Sequence, residues 1–132
     1  MGSGGLKILV ADDDRVVRRI ITAKLSGLGY EIIEAYDGQE ALERLEDGVI
    51  PSVLITDQLM PRMNGLQLVR EIRKSQNPAL SRLPVIMLTS KGSERDIIEG
   101  LESGLDDYVT KPFSPDELAA RVRTVMWRIQ NR

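Results

Sequence analysis

Apolar and polar residues follow two recurring patterns along the chain. Short runs rich in apolar and β-branched residues are typical of strands that are covered on both faces of a sheet. Five such runs are present, at Leu6–Ala11, Glu31–Ala35, Ser52–Thr56, Pro84–Leu88 and Asp107–Thr110. The first pattern therefore predicts five strands, of which the middle ones are almost completely buried.

The second pattern is helical and lies between and after these runs. Apolar residues three or four positions apart predict amphipathic helices. The stripes are Val17, Ile21, Leu25 and Leu28; Leu42 and Leu45; Leu68, Val69 and Ile72; Ile97 and Leu101; and Leu118, Val122, Val125, Met126 and Ile129. Strands and helices alternate five times, which predicts an α/β domain with a parallel sheet and helices on both faces.

Start and stop signals support the helices. Asp37 and Glu40 have the spacing of a capping box, Ser93 is the expected N-cap of the fourth helix, and Gly29 can end the first. The stretch SPDE at 114–117 places Ser at the N-cap and Pro at the first helical position. The last helix is therefore expected at about 115–131.

Composition narrows the possible chemistry. The chain has 132 residues, no Cys and no His, so disulfides, thiolate catalysis, a His general base and zinc sites of the Cys/His type are excluded. A bound metal would need oxygen ligands. The absence of Cys favours a reducing cytoplasm. A net charge of −2 gives no reason to expect direct binding to nucleic acid or membranes.

The domain boundaries also follow from composition. Residues 1–5, MGSGG, are typical of an expression tag and are left out of the fold prediction. The length favours one domain over residues 6–132, and no linker divides it. No apolar run reaches the roughly 20 residues that a membrane-spanning helix needs.

Polar side chains follow four of the predicted strands. Asp12 and Asp13 come after the first strand, Asp57 after the third, Thr89 after the fourth and Lys111 after the fifth. Ligands of open α/β sheets bind beyond the carboxyl ends of the strands. We therefore expect these five residues to meet at one edge of the sheet.

Their chemistry points to a phosphoryl group. Carboxylates in one pocket repel each other unless a hard cation such as Mg²⁺ lies between them. Lys111 adds an ammonium and Thr89 a hydroxyl, which completes a set of groups that can bind a phosphoryl group. Asp57 is the best candidate nucleophile, because it ends an apolar strand and a Pro- and Gly-containing turn follows it.

Four stretches of this sequence carry a family resemblance: VADDD, ITDQLMPRMNG, VIMLTS and DDYVTKPF, in this order. The chain resembles the receiver domain of two-component response regulators, including chemotaxis regulators, from about Leu6 to Trp127. The resemblance implies a doubly wound, flavodoxin-like sheet with strand order 2-1-3-4-5. It also implies a switch that accepts a phosphoryl group from a histidine kinase or phosphotransfer protein.

The resemblance implies roles for the acidic residues. Asp57 matches the phosphoacceptor. Asp13 and Asp57 match direct ligands of Mg²⁺ or Mn²⁺, Asp12 matches a ligand acting through water, and the backbone carbonyl of Leu59 matches a further ligand. The Leu59 side chain is expected to shield the acyl phosphate from water. Asp14 lies outside this set, and we expect it to cap the first helix.

The remaining matches concern the switch. Lys111 matches the lysine that contacts the phosphoryl group, and the bond between Lys111 and Pro112 matches one that is often cis in this family. Thr89 matches the hydroxyl that moves toward the phosphoryl group, and Tyr108 matches an aromatic residue that then turns inward. The surface around the fourth helix, fifth strand and fifth helix is expected to change. The domain is not expected to be an enzyme beyond its own phosphorylation and dephosphorylation.

The last helix carries a possible interface. Trp127 points away from the apolar stripe, and Arg121 and Arg123 lie nearby. This is either a solvated basic face with one exposed aromatic residue or a contact surface for a second copy or for an effector domain missing from this sequence.

Other functions remain open at this point. A degenerate receiver would act only as a binding scaffold. An aspartyl-phosphate phosphatase or phosphotransferase usually has a second Asp two residues after the nucleophile, where this chain has Leu59. A flavodoxin-like flavin carrier needs a first loop that cradles phosphate, which Asp12–Asp14 would repel. Taken singly, each motif could also be an ordinary cap, turn or core residue.

Overall fold

The computed structural model describes residues 5–90 and 94–131. The predicted cap Ser93 lies outside these residues. Within them, the strands are β1 Lys7–Ala11, β2 Glu31–Ala35, β3 Val53–Asp57, β4 Val85–Thr89 and β5 Asp107–Thr110. The helices are α1 Arg15–Gly27, α2 Gly38–Glu46, α3 Gly65–Arg73, α4 Pro78–Ser81, α5 Glu94–Glu102 and α6 Pro115–Gln130.

The strands form one parallel sheet with the order β2-β1-β3-β4-β5, which confirms the predicted fold. Successive residues of β1 enter two different cores: Ile8 and Val10 pack with α1 and α6, whereas Leu9 and Ala11 pack with α2 and α3. Because both faces are covered, the central strands are apolar up to their carboxyl ends, where β3 ends in Thr56 and Asp57 and β4 ends in Thr89. No helix in the described ranges is both long enough and apolar enough to cross a membrane.

The predicted caps Asp14, Asp37 and Ser114 are confirmed, and only the return bond of the capping box at α2 differs. Asp14 caps α1 and accepts hydrogen bonds from the amides of Val16 and Val17 at 2.9 and 3.3 Å. Ser114 caps α6 as predicted. At α2, however, Glu40 accepts from the amide of Tyr36 and not from that of Asp37. The second hydrogen bond of the predicted capping box therefore comes from the amide of the residue before the N-cap, and not from the N-cap itself.

Two features of the helices differ from the prediction. The short helix α4 is absent from the predicted elements, although Asn77 before Pro78 is a recognisable start signal. The predicted fourth and fifth helices are therefore α5 and α6. On α5, Ile97 and Leu101 are 36% and 56% exposed and do not form a buried stripe. The physical reason is that α5 turns Gly100 toward the sheet, where it contacts Tyr108.

Candidate functional site

The acidic residues meet at the carboxyl edge of the sheet. Asp57 is the last residue of β3, and Asp12 follows β1 directly, where its amide donates to the Ala35 carbonyl at 3.1 Å. Carboxylate oxygens of Asp12, Asp13 and Asp57 lie within 4.8 Å of one another. Asp12 and Asp57 are buried, whereas Asp13 is exposed to solvent. The cluster therefore forms a pocket that opens on the side of Asp13.

Lys111 lies between the two buried carboxylates. Its Nζ atom is 3.2 Å from Oδ2 of Asp12 and 3.3 Å from Oδ1 of Asp57. The backbone fixes this position, because the Lys111 amide donates to the carbonyl of Thr89 at 2.7 Å. The following bond to Pro112 is cis. One ammonium thus connects the ends of β1 and β3.

Burial dominates the titration of these carboxylates. It raises the pKa of Asp57, the nearby Asp12 charge raises it further, and the Lys111 ammonium only partly opposes this. Burial likewise raises the pKa of Asp12, against hydrogen bonds from the Asp14 amide and Lys111. For Lys111, burial lowers the pKa, but the two carboxylates outweigh it and the net shift is upward. The pocket therefore has more negative charge than one ammonium balances.

The loop after Asp57 is held in place by glycine. The Gly65 amide donates to the Gln58 carbonyl at 2.9 Å, which closes the loop at the start of α3. A Cβ atom at Gly65 would overlap the carbonyl oxygen of Asp57. A second contact places Gly38 of α2 against the Met63 carbonyl, again with no room for a side chain. Both approaches need glycine for its missing Cβ.

Thr89 is the last residue of β4 and is almost completely buried. Its Oγ1 donates a hydrogen bond to Oε1 of Gln58 at 2.6 Å. Gln58 also binds the phosphoacceptor candidate, because its amide donates to Oδ1 of Asp57 at 2.9 Å. One residue thus contacts both Asp57 and Thr89.

Tyr108 packs inward against α5. A Cβ atom at Gly100 would overlap the hydroxyl and the adjacent ring carbons of Tyr108, so the ring lies directly on the helix backbone. The ring also packs against the core cluster on the α2 and α3 side of the sheet. The described structure therefore has the ring turned inward, and its role in switching stays a prediction.

Comparison with known proteins places the chain in a family. Residues 8–123 match the profile described as the response regulator receiver domain. The chain belongs to this family. Receiver domains are phosphorylation-based switches of two-component signalling and interact with histidine kinases or phosphotransfer proteins.

The relatives of this receiver domain include long and short proteins. It is 46% identical over 127 residues to a probable transcriptional regulator, ycf27, of Cyanophora paradoxa, covering 95% of this chain and 50% of the relative. It is 42% identical over 122 residues to the chemotaxis protein CheY1 of Helicobacter pylori, covering 92% of this chain and 97% of the relative. The chain thus spans about half the length of the transcriptional regulators that it matches.

Solved structures agree. The receiver domain of Francisella response regulator 1452 is 41% identical, with a TM-score of 0.86 over 95% of this chain and 99% of that chain. Vibrio cholerae chemotaxis protein CheY4 is 31% identical, with a TM-score of 0.84 over 92% of this chain and 98% of that chain.

The acidic cluster of this receiver domain fits a divalent cation. Receiver domains generally bind Mg²⁺ through an acidic pocket. Here three carboxylates converge, two of them desolvated, and oxygen is the ligand atom that Mg²⁺ and Mn²⁺ prefer. The carbonyl of Leu59, two residues beyond Asp57, stays a predicted ligand. The fit rests on this donor set.

The three predicted interface residues on α6 differ in their contacts. Trp127 of the receiver domain is 64% exposed, as predicted, and Arg123 is also exposed. Arg121, by contrast, pairs with Asp107 at 3.3 Å and is tied to β5. A role of this helix as an interface stays a prediction.

Sequence reasoning missed two residues that touch the site. Arg18 donates from Nη1 to the Asp12 carbonyl at 2.6 Å and pairs with Glu34 at 3.1 Å. Gln58 was the other. Since Asp57 pairs with Leu88, the residue after Asp57 lies beside Thr89, and the implied strand order contained this signal.

Proposed function

We propose that this receiver domain accepts a phosphoryl group on Asp57 from a phosphohistidine of a histidine kinase or phosphotransfer protein. The observation that carries the proposal is the position of Lys111, whose ammonium lies 3.2 Å from Asp12 and 3.3 Å from Asp57. An ammonium held beside a buried carboxylate favours the approach of a negatively charged phosphoryl group.

Asp57 acts as the nucleophile. Within residues 5–90 and 94–131, its carboxylate receives the Gln58 amide and the Lys111 ammonium on Oδ1, so we assign Oδ2 to the attack. Oδ2 forms a bond to phosphorus while the bond from phosphorus to the histidine nitrogen breaks, which leaves an acyl phosphate and an imidazole. Burial raises the pKa of Asp57, which strengthens it as a nucleophile.

The positive charges of the site neutralise the transferred group. Lys111 supplies its ammonium to one phosphoryl oxygen. Asp12, Asp13, Asp57 and the Leu59 carbonyl would hold Mg²⁺ or Mn²⁺. When bound, such an ion supplies positive charge to the phosphoryl oxygens. The domain promotes only its own phosphorylation and dephosphorylation, and we do not class it as an enzyme.

A surface beside the site suits the phosphodonor. A pocket of about 430 Å³ is lined by Val17, Ile20, Ser90, Lys111, Pro112 and Phe113. Lys111 is one of the lining residues, and α1 also exposes the apolar side chains of Val16 and Ile20. We assign this surface to the protein that presents the phosphohistidine, because a donor seated there contacts Lys111, whose ammonium lies 3.3 Å from Asp57.

The output surface is formed by α5, β5 and α6. The dianionic acyl phosphate draws Thr89 and Lys111 toward it and shifts a pre-existing equilibrium of this surface. Ile98 and Leu101 of α5 are exposed apolar residues on it. Its partner is a second copy or an effector domain, with Trp127 as a contact. The domain works in the cytoplasm without direct binding to nucleic acid or membrane.

Intact mass tests the proposal. The wild type, Asp57→Asn and the control Asp47→Asn, an exposed residue after α2, are incubated with Mg²⁺ and acetyl phosphate. We expect one added phosphoryl group in the wild type and the control, and none in Asp57→Asn. Failure of the wild type to gain mass and to bind beryllofluoride, a phosphoryl mimic, would instead support the scaffold alternative.

A further inference from the structure

We infer that Gln58 is a positioning residue that holds the hydroxyl of Thr89 before phosphorylation and so sets the balance of the switch. This inference rests on the proposed function. It begins from one contact, the hydrogen bond of 2.6 Å from Thr89 Oγ1 to Gln58 Oε1. A threonine hydroxyl has a single hydrogen to donate. It therefore donates either to Gln58 or to a phosphoryl oxygen on Asp57, and not to both.

The backbone of Gln58 is fixed, so its side chain has a defined reach. The Gln58 amide contacts both the Leu88 carbonyl and Oδ1 of Asp57 at 2.9 Å. The Gln58 carbonyl accepts from Gly65 at 2.9 Å. Three backbone contacts thus anchor the residue between β3, β4 and α3. The side-chain oxygen is presented to Thr89 by a rigid support.

The surroundings strengthen the bond. Thr89 is almost completely buried and Gln58 is half-buried. A polar group that loses its partner in such a place is not fully compensated by water. When Thr89 turns to the phosphoryl group, Oε1 of Gln58 loses its donor. The switched state therefore carries a cost that the unphosphorylated state does not.

The consequence is a shift in population. A side chain of the same size without an acceptor should remove the cost and favour the switched state before any phosphoryl group arrives. Gln58→Met has this property, because methionine is similar in length and its sulfur is only a weak acceptor. A ligand that binds the switched state should then bind more tightly.

Beryllofluoride, with Mg²⁺ present, is the probe. We expect Gln58→Met to lower its apparent Kd, measured by calorimetric titration, by roughly two- to tenfold, the range for one net hydrogen bond. Gln76→Met, at an exposed position between α3 and α4, is the matched control and should bind like the wild type. In a Thr89→Ala background, Gln58→Met should have no effect, because the hydroxyl is gone.

Three results would overturn the inference. One is an unchanged Kd in Gln58→Met while the wild type binds normally. Another is an equal gain in the Thr89→Ala background, which would indicate altered packing. The third comes from the Thr89 χ1 rotamer, measured by NMR couplings without metal. We expect one rotamer in the wild type and averaging in Gln58→Met, and identical couplings in both would refute the contact.

The rotamer measurement also separates the two proposals. If the wild type binds no beryllofluoride and gains no mass from acetyl phosphate, the proposed function fails. The rotamer result still decides whether Gln58 holds Thr89.

Discussion

The guanidinium of Arg62 forms a two-point ion pair with the buried carboxylate of Asp37. Nε lies 2.7 Å from Oδ2 and Nη2 lies 3.2 Å from Oδ1, and the Asp37 side chain is only 2% exposed. Arg62 has a φ of 66°, a left-handed conformation that costs a non-glycine residue about 1–2 kcal/mol. The ion pair is an interaction that this conformation makes possible. It ties the loop that follows Asp57 to the start of α2.

Removing this guanidinium should destabilise the domain. We expect Arg62→Ala to lower the free energy of unfolding, because a buried carboxylate loses its partner, although the half-exposed guanidinium is partly screened by solvent. Urea unfolding near pH 7 measures the change. The matched control is Arg70→Ala, whose pair with Glu99 is about half-exposed on both sides. That variant should lose at most about 0.5 kcal/mol, and equal losses would contradict the special role of Arg62.

The same pair predicts a pH dependence. Burial raises the pKa of Asp37, but hydrogen bonds from Arg62 and the Glu40 amide outweigh it, so the folded pKa is lower than the ordinary 3.8. The stabilisation is therefore complete above pH 3.8 and is lost as the pH falls through the folded pKa.

Asp37→Asn isolates this charge, because asparagine also caps helices. We expect the variant to be less stable than the wild type at neutral pH. The difference in unfolding free energy should shrink below about pH 4. Denaturant unfolding at a series of pH values tests this, and a constant difference across the series would show that the charge of Asp37 is not responsible.

The contact between Gly100 and Tyr108 predicts that the effect of Gly100→Ala on stability changes sign when the Tyr108 ring is removed. Gly100→Ala should destabilise the wild type by about 1–3 kcal/mol, because the new methyl group overlaps the Tyr108 ring. In a Tyr108→Ala background the same change should stabilise α5 by up to about 1 kcal/mol, since alanine is the better helix former. Thermal unfolding of the four proteins measures both effects. The same sign in both backgrounds would mean that the ring does not limit this position.

The proposed docking surface for the phosphodonor predicts that one substitution slows phosphorylation by a protein donor but not by a small-molecule donor. Ile20→Asp should slow transfer from a histidine kinase that phosphorylates the wild type by about tenfold or more, which is the loss of roughly 1.4 kcal/mol of binding. Phosphorylation by acetyl phosphate should stay unchanged, because that donor needs no protein surface. Ile50→Asp, at a comparably exposed position before β3, serves as the control. Equal slowing with both donors would point to damage of the site itself.

We expect the Leu59 side chain to affect the lifetime of the acyl phosphate. It belongs to the loop between β3 and α3, and its side chain is 68% exposed. We expect the acyl phosphate of the Leu59→Asn variant to be hydrolysed several-fold faster than that of the wild type, because a polar side chain admits and orients water. The time course of intact mass after removal of acetyl phosphate measures the rate. Leu101→Asn, on α5, should decay like the wild type, and an unchanged rate in Leu59→Asn would remove the shielding role.

The sequence predicts the sheet and the main site for a simple physical reason. Buried parallel strands must be apolar, so polar residues such as Asp57 and Thr89 become visible where the strands end. The helix caps Asp14 and Ser114 could also be predicted, because their hydrogen bonds join residues that are close in the sequence.

Contacts between distant loops were not predictable in the same way. The pair of Arg62 and Asp37 depends on how two loops approach, and the bond of Thr89 to Gln58 depends on a rotamer. On α5, the apolar spacing of Ile97 and Leu101 suggested a buried face. The sheet instead receives Gly100, because the Tyr108 ring already occupies the space that a larger residue would need.

The ion pair of Lys111 with Asp12 joins residues that are 99 positions apart. A ribosome releases the acidic residues first, and the ammonium follows only when β5 has been made. A nascent or truncated chain that ends before β5 displays carboxylates without the cation that balances them. Under the proposed function, competence for phosphoryl transfer then arises late in synthesis, and we expect incomplete chains not to drain the kinase of its phosphoryl groups.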